Sequence, residues 1–314
     1  MSDEPIIRVE RLSFAYTKAP VLDELSFAVG PGATGLLGPN GAGKSTLIKI
    51  LLGFLKPARG DGSILGIPIG KSRTQVRQRI GYLPEHECLI PSLQAVRLVT
   101  YCGELCGLPW EEAMQRAHEV LFYVGLGEAR YREVGTFSAG MRQRIKLAQA
   151  LVHGPEVLFL DEPTNGLDPT GRREMIELIQ DIVAQGETSV IFSSHILHDV
   201  EAVCTDVVMI KKGRLVVSGN IDELKRMDQA VYEVRLKGDA EGWVRSLTEQ
   251  GCRCERGRRD LLRVVLPPGG DVAMIFRAAQ RSGIQVRHLM HQRDSLEDVF
   301  IGAVEEEGSN NGGG

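Results

Sequence analysis

The feature that most constrains this chain is the glycine-rich stretch GPNGAGKST at residues 38–46. It matches the pattern G-x-x-x-x-G-K-S, and its apolar flanks predict a strand before it and a helix after it. Glycines let successive backbone N–H groups turn inward on phosphate oxygens, and a helix N-terminus adds partial positive charge there. Lys44 is expected to reach the β- and γ-phosphates, and Ser45 to offer its hydroxyl to Mg²⁺. The alternative is a glycine-rich turn with no ligand. The predicted nucleoside-triphosphate contacts are Gly38, Pro39, Asn40, Gly41, Ala42, Gly43, Lys44, Ser45 and Thr46.

Two adjacent carboxylates follow a second apolar run. Residues 157–160 predict a buried strand, and Asp161 and Glu162 come at its carboxyl end, where ligands of open α/β sheets bind. A phosphate-binding loop needs a carboxylate for its metal, so Asp161 is expected to hold Mg²⁺. Glu162 is expected to act as general base on the attacking water. The alternative is a solvated pair of acids at a strand end.

Residues 137–144, FSAGMRQR, lie between these motifs. Here the chain resembles the ATP-binding subunits of ABC transporters, whose signature loop is Leu-Ser-Gly-Gly-Gln followed by a basic helix. Ser138 and Gly140 match that loop, and the Gln-Arg pair after it also matches. Three positions depart from the common pattern: Phe137, Ala139 and Met141. Taken alone, a serine before a helix is usually an N-cap.

The resemblance assigns roles to further residues. Glu85 stands where the family usually has a glutamine near Mg²⁺, and it is expected to hold the metal or its water. Asp168 falls in the loop that crosses the family's dimer interface. His195 follows an apolar strand and is expected to contact the γ-phosphate, the alternative being a structural histidine. The resemblance also implies a head-to-tail dimer in which each ATP meets the partner's signature loop: Ser138, Ala139, Gly140 and Met141.

Tyr16 lies near the position where the family stacks an aromatic ring on adenine. Residues 12–16 alternate like a strand, and such stacking is worth roughly 1–3 kcal/mol per base in nucleic-acid complexes. Aromatic residues also favour strands for packing reasons alone. Both interpretations of Tyr16 therefore remain open.

The charge balance, the cysteines and the lack of long apolar stretches argue against several classes of protein. The chain has 314 residues, with 37 basic and 41 acidic side chains, a balance that argues against a nucleic-acid partner. Six scattered cysteines lack paired zinc spacing and fit a reducing cytoplasm. The N-terminus lacks a signal-peptide pattern, and no stretch approaches 18 apolar residues. If the chain energises transport, a separate membrane protein must form the pathway.

The predicted fold is α/β: a P-loop NTPase (RecA-like) ABC ATPase core with β-rich and helical subdomains, followed by a small α+β domain. Residues 92–126 are expected to be helical, with Ser92 as a cap and a second helix opening at Pro109. The order β-α-β-β-α-β after residue 230 suggests a ferredoxin-like domain. Residues 294–300 resemble the closing helix of an accessory domain found on exporter-branch members. The expected divisions are an N-terminal tail (1–5), a nucleotide-binding domain (6–226), the accessory domain (227–304) and a disordered tail (305–314).

These motifs are compatible with three functions. The first is an ATPase subunit that dimerises with itself or a paralogue and drives export through an integral membrane permease, at the cytoplasmic side of the membrane as a peripheral protein. Soluble family members acting on ribosomes or DNA carry two nucleotide domains, a coiled coil or a zinc hook, and none of these patterns is present in the sequence. A nucleotide sensor without turnover is disfavoured because Lys44, Asp161, Glu162 and His195 are all present. The transporter subunit, using ATP and Mg²⁺, is therefore the function that the sequence predicts.

Overall fold

The computed structural model describes residues 4–70, 73–86, 88–227, 231–238, 240–256, 261–267 and 270–292. The chain divides into two compact units, Met1–Asn220 and Ile221–Gly314. The boundary predicted from the sequence, after residue 226, falls inside the helix Ile221–Met227. The predicted tail 305–314 and the closing-helix resemblance at residues 294–300 lie outside the described residues.

The first unit contains ten strands and seven α-helices within its described residues, together with two short 3₁₀ helices. The strands are β1 (Ile7–Phe14), β2 (Leu22–Val29), β3 (Ala33–Leu37), β4 (Arg59–Ile64), β5 (Ile67–Pro68), β6 (Ile80–Leu83), β7 (Val157–Asp161), β8 (Ser189–Ser194), β9 (Asp206–Lys211) and β10 (Arg214–Asn220). The helices are α1 (Lys44–Leu51), α2 (Arg73–Arg79), α3 (Ala95–Leu105), α4 (Trp110–Tyr123), α5 (Ala139–Leu151), α6 (Pro169–Gln185) and α7 (Leu197–Val203).

A six-stranded sheet forms the centre of this unit, in the order β10-β9-β3-β8-β7-β6. Its pairs are parallel except for β9 with β10, which are joined by a tight turn at Lys212 and Gly213, both at positive φ. Strands β3 and β7 are buried along their whole length. Continuous apolar runs of this kind are typical of parallel strands that are covered on both faces. The loops after β3, β7 and β8 consequently meet at one sheet edge.

A second, antiparallel sheet has the order β2-β1-β4-β5 and corresponds to the predicted β-rich flank. The predicted helical segment is also present as α3 and α4. Its first boundary was wrong, however, because α3 begins at Ala95 with Gln94 as N-cap, three residues beyond Ser92. Residues 90–93 form a turn, Gln94 is extended and forms a β-bridge with Glu133, and the Ala95 N–H donates to the Arg132 carbonyl, so the helix begins only at Ala95.

The second unit has its own elements and its own apolar core. They are α8 (Ile221–Met227), β11 (Val231–Lys237), α9 (Glu241–Thr248), β12 (Arg253–Arg256), β13 (Leu262–Val265), α10 (Ala273–Arg281) and β14 (Gln285–Gln292). The four strands form an antiparallel sheet in the order β12-β13-β11-β14. Trp243 is fully buried against this sheet's core, and its indole N–H donates to the Ile275 carbonyl at 3.2 Å.

Among the described residues, no helix has both the length and the apolar character that crossing a bilayer requires.

Candidate active site

The loop between β3 and α1 is shaped by glycine. Gly41 and Gly43 have φ of 79° and 106°, values that side-chain-bearing L-residues rarely adopt. At Gly38 even a Cβ atom would overlap the carbonyl oxygen of Ile210, on the neighbouring strand β9. Helix α1 then begins at Lys44 with no side-chain cap, so its first N–H groups are left for a ligand.

Lys44 is folded back into this loop. Its side chain is 6% exposed, and its ammonium group donates to the carbonyl oxygens of Gly38 at 2.7 Å and Pro39 at 3.4 Å. The same nitrogen lies 3.3 Å from a carboxylate oxygen of Glu162. The cation is therefore buried at the loop between β3 and α1 and is paired with Glu162, the residue that follows β7.

Asp161 lies at the end of β7, facing α1. It accepts a hydrogen bond of 3.2 Å from the Ser45 hydroxyl. Burial raises the pKa of Asp161 above its usual range, and the negative charges of Glu85 and Glu162 add to that effect, while the Ser45 hydroxyl opposes it. A cation beside Asp161 would remove this electrostatic cost.

Glu162 is the most constrained residue of the site. Its φ is 50°, in the left-handed region, and its side chain is 6% exposed. One carboxylate oxygen faces Lys44, and the other lies 2.9 Å from Nδ1 of His195. Through these two contacts Glu162, which follows β7, connects Lys44 at the beginning of α1 with His195 after β8.

Oxygen atoms that would suit a hard cation are gathered here. Ser45 and Glu85 both line one cleft, and the Ser45 hydroxyl donates to the Asp161 carboxylate. Within the described part of the chain, no group of three or more His, Cys, Asp or Glu side chains has metal-binding geometry. Such a sparse donor set fits Mg²⁺, which binds one or two carboxylates and takes its other ligands from water and phosphates.

The cleft has a volume of about 420 Å³. Its lining residues are Val21, Asn40, Gly41, Ala42, Gly43, Lys44, Ser45, Thr46, Glu85, Glu162, Asn165 and His195. Val21 and Asn165 were not predicted. The sequence offered one signal for Asn165, its position three residues after Glu162. The structure adds that its amide donates to the Glu85 carboxylate at 3.4 Å.

Tyr16 lies at the margin of this site. Its hydroxyl is 3.5 Å from that of Thr46, its ring packs edge-on against Phe14, and 58% of the residue is exposed. Packing and ligand stacking are therefore compatible, because one part of the ring contacts Phe14 while much of the residue remains accessible.

Other predicted residues lie outside the cleft of their own chain. Ser138 is exposed and caps α5 by accepting from the Met141 N–H at 3.3 Å. Asp168, also exposed, caps α6 by accepting from the Gly171 N–H at 3.0 Å. Neither Asp168 nor any of residues 138–141 lines the cleft described above. The structure therefore gathers the β3, β7 and β8 loops and leaves the signature loop on the surface.

The chain is similar in sequence and fold to several known proteins. A family model described as ABC transporter matches residues 22–165. The ABC transporter ATP-binding protein YxlF of Bacillus subtilis (strain 168) is 34% identical, over 95% of this chain and 99% of its own length. Nod factor export ATP-binding protein I of Cupriavidus metallidurans is 32% identical, over 94% of this chain and 96% of its own length. The solved structure of cbiO1 from Clostridium perfringens, part of the ABC transporter complex cbiONQ, has a TM-score of 0.64 at 29% identity, covering 72% of this chain and 92% of that one.

Proposed function

This chain belongs to the family of ABC transporter ATP-binding proteins, and we propose that it powers export by binding and hydrolysing ATP beside a separate membrane permease. The resemblance noted at residues 137–144 is confirmed. The chain is an ATPase subunit of an ABC transporter. Export as the direction of transport is supported by the similarity to the Nod factor export protein, which aligns over almost its whole length.

We assign the binding of ATP phosphates to residues 38–46. Their N–H groups and the ammonium group of Lys44 neutralise the phosphate charge without reorganising, because the turn is already formed. Lys44 now contacts Glu162, so the arriving phosphates compete with that carboxylate for the lysine. Glu162 thereby becomes available to a water molecule. Tyr16, partly exposed beside Thr46, is assigned the adenine ring.

Glu162 is the proposed general base, and His195 orients it. The 2.9 Å contact between His195 and the Glu162 carboxylate supports this assignment. A general base must lie within hydrogen-bond reach of the water that it activates. A partner that fixes the rotamer of the base keeps it in that geometry. The His195 side chain is 38% exposed, so it has room to turn toward a γ-phosphate as well.

Ser45 and Asp161, together with Glu85 from the lining of the cleft, are proposed to hold Mg²⁺. The raised pKa of Asp161 supports this, since a cation beside the buried carboxylate offsets the cost of its ionisation. When bound, Mg²⁺ would neutralise charge on the β- and γ-phosphates.

Dimerisation completes the proposed cycle. Residues 138–141 lie on the surface at the beginning of α5 and outside their own cleft, which supports a contact with ATP held by a second subunit, either identical or paralogous. Asp168 is proposed to lie at the same interface. Closure around ATP and reopening after hydrolysis would shift the permease between two states.

The second unit is proposed to be a ferredoxin-like accessory domain. The succession β11-α9-β12-β13-α10-β14 and the antiparallel sheet order support that topology. We place the complete subunit at the cytoplasmic face of the membrane, because ATP and an integral membrane permease meet there.

The single observation that carries the mechanism is the position of Glu162 between Lys44 and His195. Replacing Glu162 by glutamine keeps the shape of the side chain but removes the base. We expect hydrolysis to fall by about 100- to 10,000-fold while ATP binding persists and ATP-dependent dimers accumulate. Steady-state phosphate release, an ATP-binding titration and light scattering measure these three properties.

Glu177→Gln is the matched control, because Glu177 is a glutamate on an exposed face of α6. It should hydrolyse ATP like the unmodified protein. Undiminished phosphate release by Glu162→Gln would remove Glu162 as the base and with it this mechanism.

A further inference from the structure

The backbone at Glu162 adopts a conformation that contacts with neighbouring elements must stabilise. A φ of 50° is uncommon for a residue with a side chain and persists where neighbouring groups enforce it. The Glu162 N–H donates to the Ser193 carbonyl at 3.0 Å, which attaches one side of the turn to β8. Two further contacts hold the residues that follow.

Buried side chains of α5 and α7 form hydrogen bonds with the two residues that follow Glu162. Gln143 on α5 donates from its amide nitrogen to the Pro163 carbonyl at 2.9 Å. Thr164 donates from its hydroxyl to the Asp199 carboxylate, on α7, at 2.8 Å. Gln143, Thr164 and Asp199 are 8%, 3% and 2% exposed, so water does not replace these bonds readily.

Asp199 is itself fixed on its other oxygen. Arg172 of α6 donates to that oxygen through two nitrogens, at 2.9 and 2.7 Å. The ion pair leaves Asp199 Oδ2 directed at Thr164, with little freedom to turn. A buried carboxylate with both oxygens engaged is a rigid hydrogen-bond acceptor.

The three helices involved follow the three other loops of the proposed mechanism. Helix α5 begins after Ser138, α6 begins after Asp168, and α7 begins shortly after His195. We propose that Gln143, Thr164 and Asp199 are positioning residues, which hold the backbone of Glu162 so that its carboxylate faces the attacking water. This inference rests on the proposed role of Glu162 as base, and it adds that movement of these loops is transmitted to that base.

Thr164 provides the sharpest test, because valine has its shape without its hydroxyl. In the full chain, Thr164→Val should lower kcat for ATP hydrolysis by roughly ten-fold or more, since small misplacements of a catalytic group are costly. KM and ATP affinity should stay close to their original values, because residues 38–46 are untouched. Thr164→Ser restores the hydroxyl and should recover most of the lost turnover.

Two further variants supply a second test and a control. Gln143→Met keeps the length of the side chain but lacks the amide donor, and it should reproduce the selective loss of kcat if Thr164→Val does not fold. Thr100→Val is the matched control, because Thr100 is a buried threonine on α3 that donates to the Val96 carbonyl, far along the chain from Glu162. It should leave kcat unchanged. Unchanged kcat in both Thr164→Val and Gln143→Met would overturn the proposal.

A double-variant cycle separates positioning from general structural damage. Residual hydrolysis is measured under single-turnover conditions in Glu162→Gln and in Glu162→Gln with Thr164→Val. If Thr164 acts through Glu162, the second substitution should cause no further loss. An equal ten-fold loss in both backgrounds would show a merely structural role and contradict the proposal. Normal turnover by Glu162→Gln alone would instead refute the assignment of the base, and the positioning role would fall with it.

Discussion

At the scale of single residues, the cleft gathers charges that burial disfavours. Asp161 is the clearest case, because burial raises its pKa above the unfolded-state value. The folded protein therefore binds this proton more tightly than the unfolded chain does, and ionised Asp161 lowers the free energy of unfolding at pH values above the ordinary carboxyl range. The site proposed to bind Mg²⁺ and phosphates therefore costs the nucleotide-free protein some stability.

Asp161→Asn should accordingly raise the melting temperature of the nucleotide-free protein at pH 7. The gain should shrink as the pH falls through the raised pKa of Asp161, and it should vanish below the ordinary carboxyl pKa, where both states are protonated. Thermal unfolding at several pH values measures this. Asp181→Asn, at an exposed position of α6, is the control and should show no such gain. A lower melting temperature for Asp161→Asn at pH 7 would contradict the prediction.

Lys44→Ala should weaken ATP binding. The substitution removes a buried cation that contacts the phosphate loop, and hydrogen bonds to charged groups contribute about 1.5–3 kcal/mol, so affinity should fall roughly ten- to one-hundred-fold. Nucleotide titration measures the change, with Lys49→Ala in the same helix as control. Unaltered affinity in Lys44→Ala would exclude its assigned phosphate contact.

The sequence motif indicated Lys44 and Ser45 because glycine spacing and a following helix restrict the backbone locally. It did not indicate that Lys44 meets Glu162, or that Glu162 has a positive φ, because those features depend on contacts with β8 and α5, distant in the chain. Gln143 was visible as part of the basic helix of the signature motif. Its hydrogen bond to Pro163 required knowledge of how α5 packs against the end of β7.

At the scale of elements, caps decide where the helices near the site begin. Asp168 accepts from the Gly171 N–H and Pro169 opens α6, a pairing that fixes the first turn of this helix. The predicted cap at Ser92 was wrong because residues 90–93 form a turn, and the bridge between Gln94 and Glu133 places the cap at Gln94. The cap of α6 is formed within four residues, whereas the beginning of α3 is set by a partner that is far away in sequence.

Asp168→Ala should lower the free energy of unfolding by roughly 0.5–2 kcal/mol through the lost cap of α6. Asp168→Asn retains an acceptor oxygen and should lose much less. Denaturant unfolding of both variants without nucleotide compares them while the proposed dimer contact is absent. Equal stability of the alanine variant and the unmodified protein would show that the cap contributes nothing.

At the scale of the whole molecule, each unit contains a tryptophan and an apolar cluster of its own. Trp110 is exposed on α4 of the first unit, and Trp243 is buried in the second. All the residues that line the nucleotide cleft belong to the first unit. A ligand stabilises the unit that binds it, by about 2.7 kcal/mol at 100 times its dissociation constant, so ATP should act on the first unit alone if the two unfold separately.

Trp110→Phe makes Trp243 the sole tryptophan and hence a reporter of the second unit. With ATP and Mg²⁺, we expect the denaturant midpoint followed by Trp243 emission to stay fixed, while the main transition in circular dichroism moves to higher denaturant. Adding Lys44→Ala to this variant should reduce the ATP effect at the same nucleotide concentration, because it removes the proposed phosphate contact without altering the second unit. If the Trp243 midpoint moved together with the circular-dichroism transition, the two units would unfold as one cooperative body, and mutations in the second unit would then alter ATP binding through global stability alone.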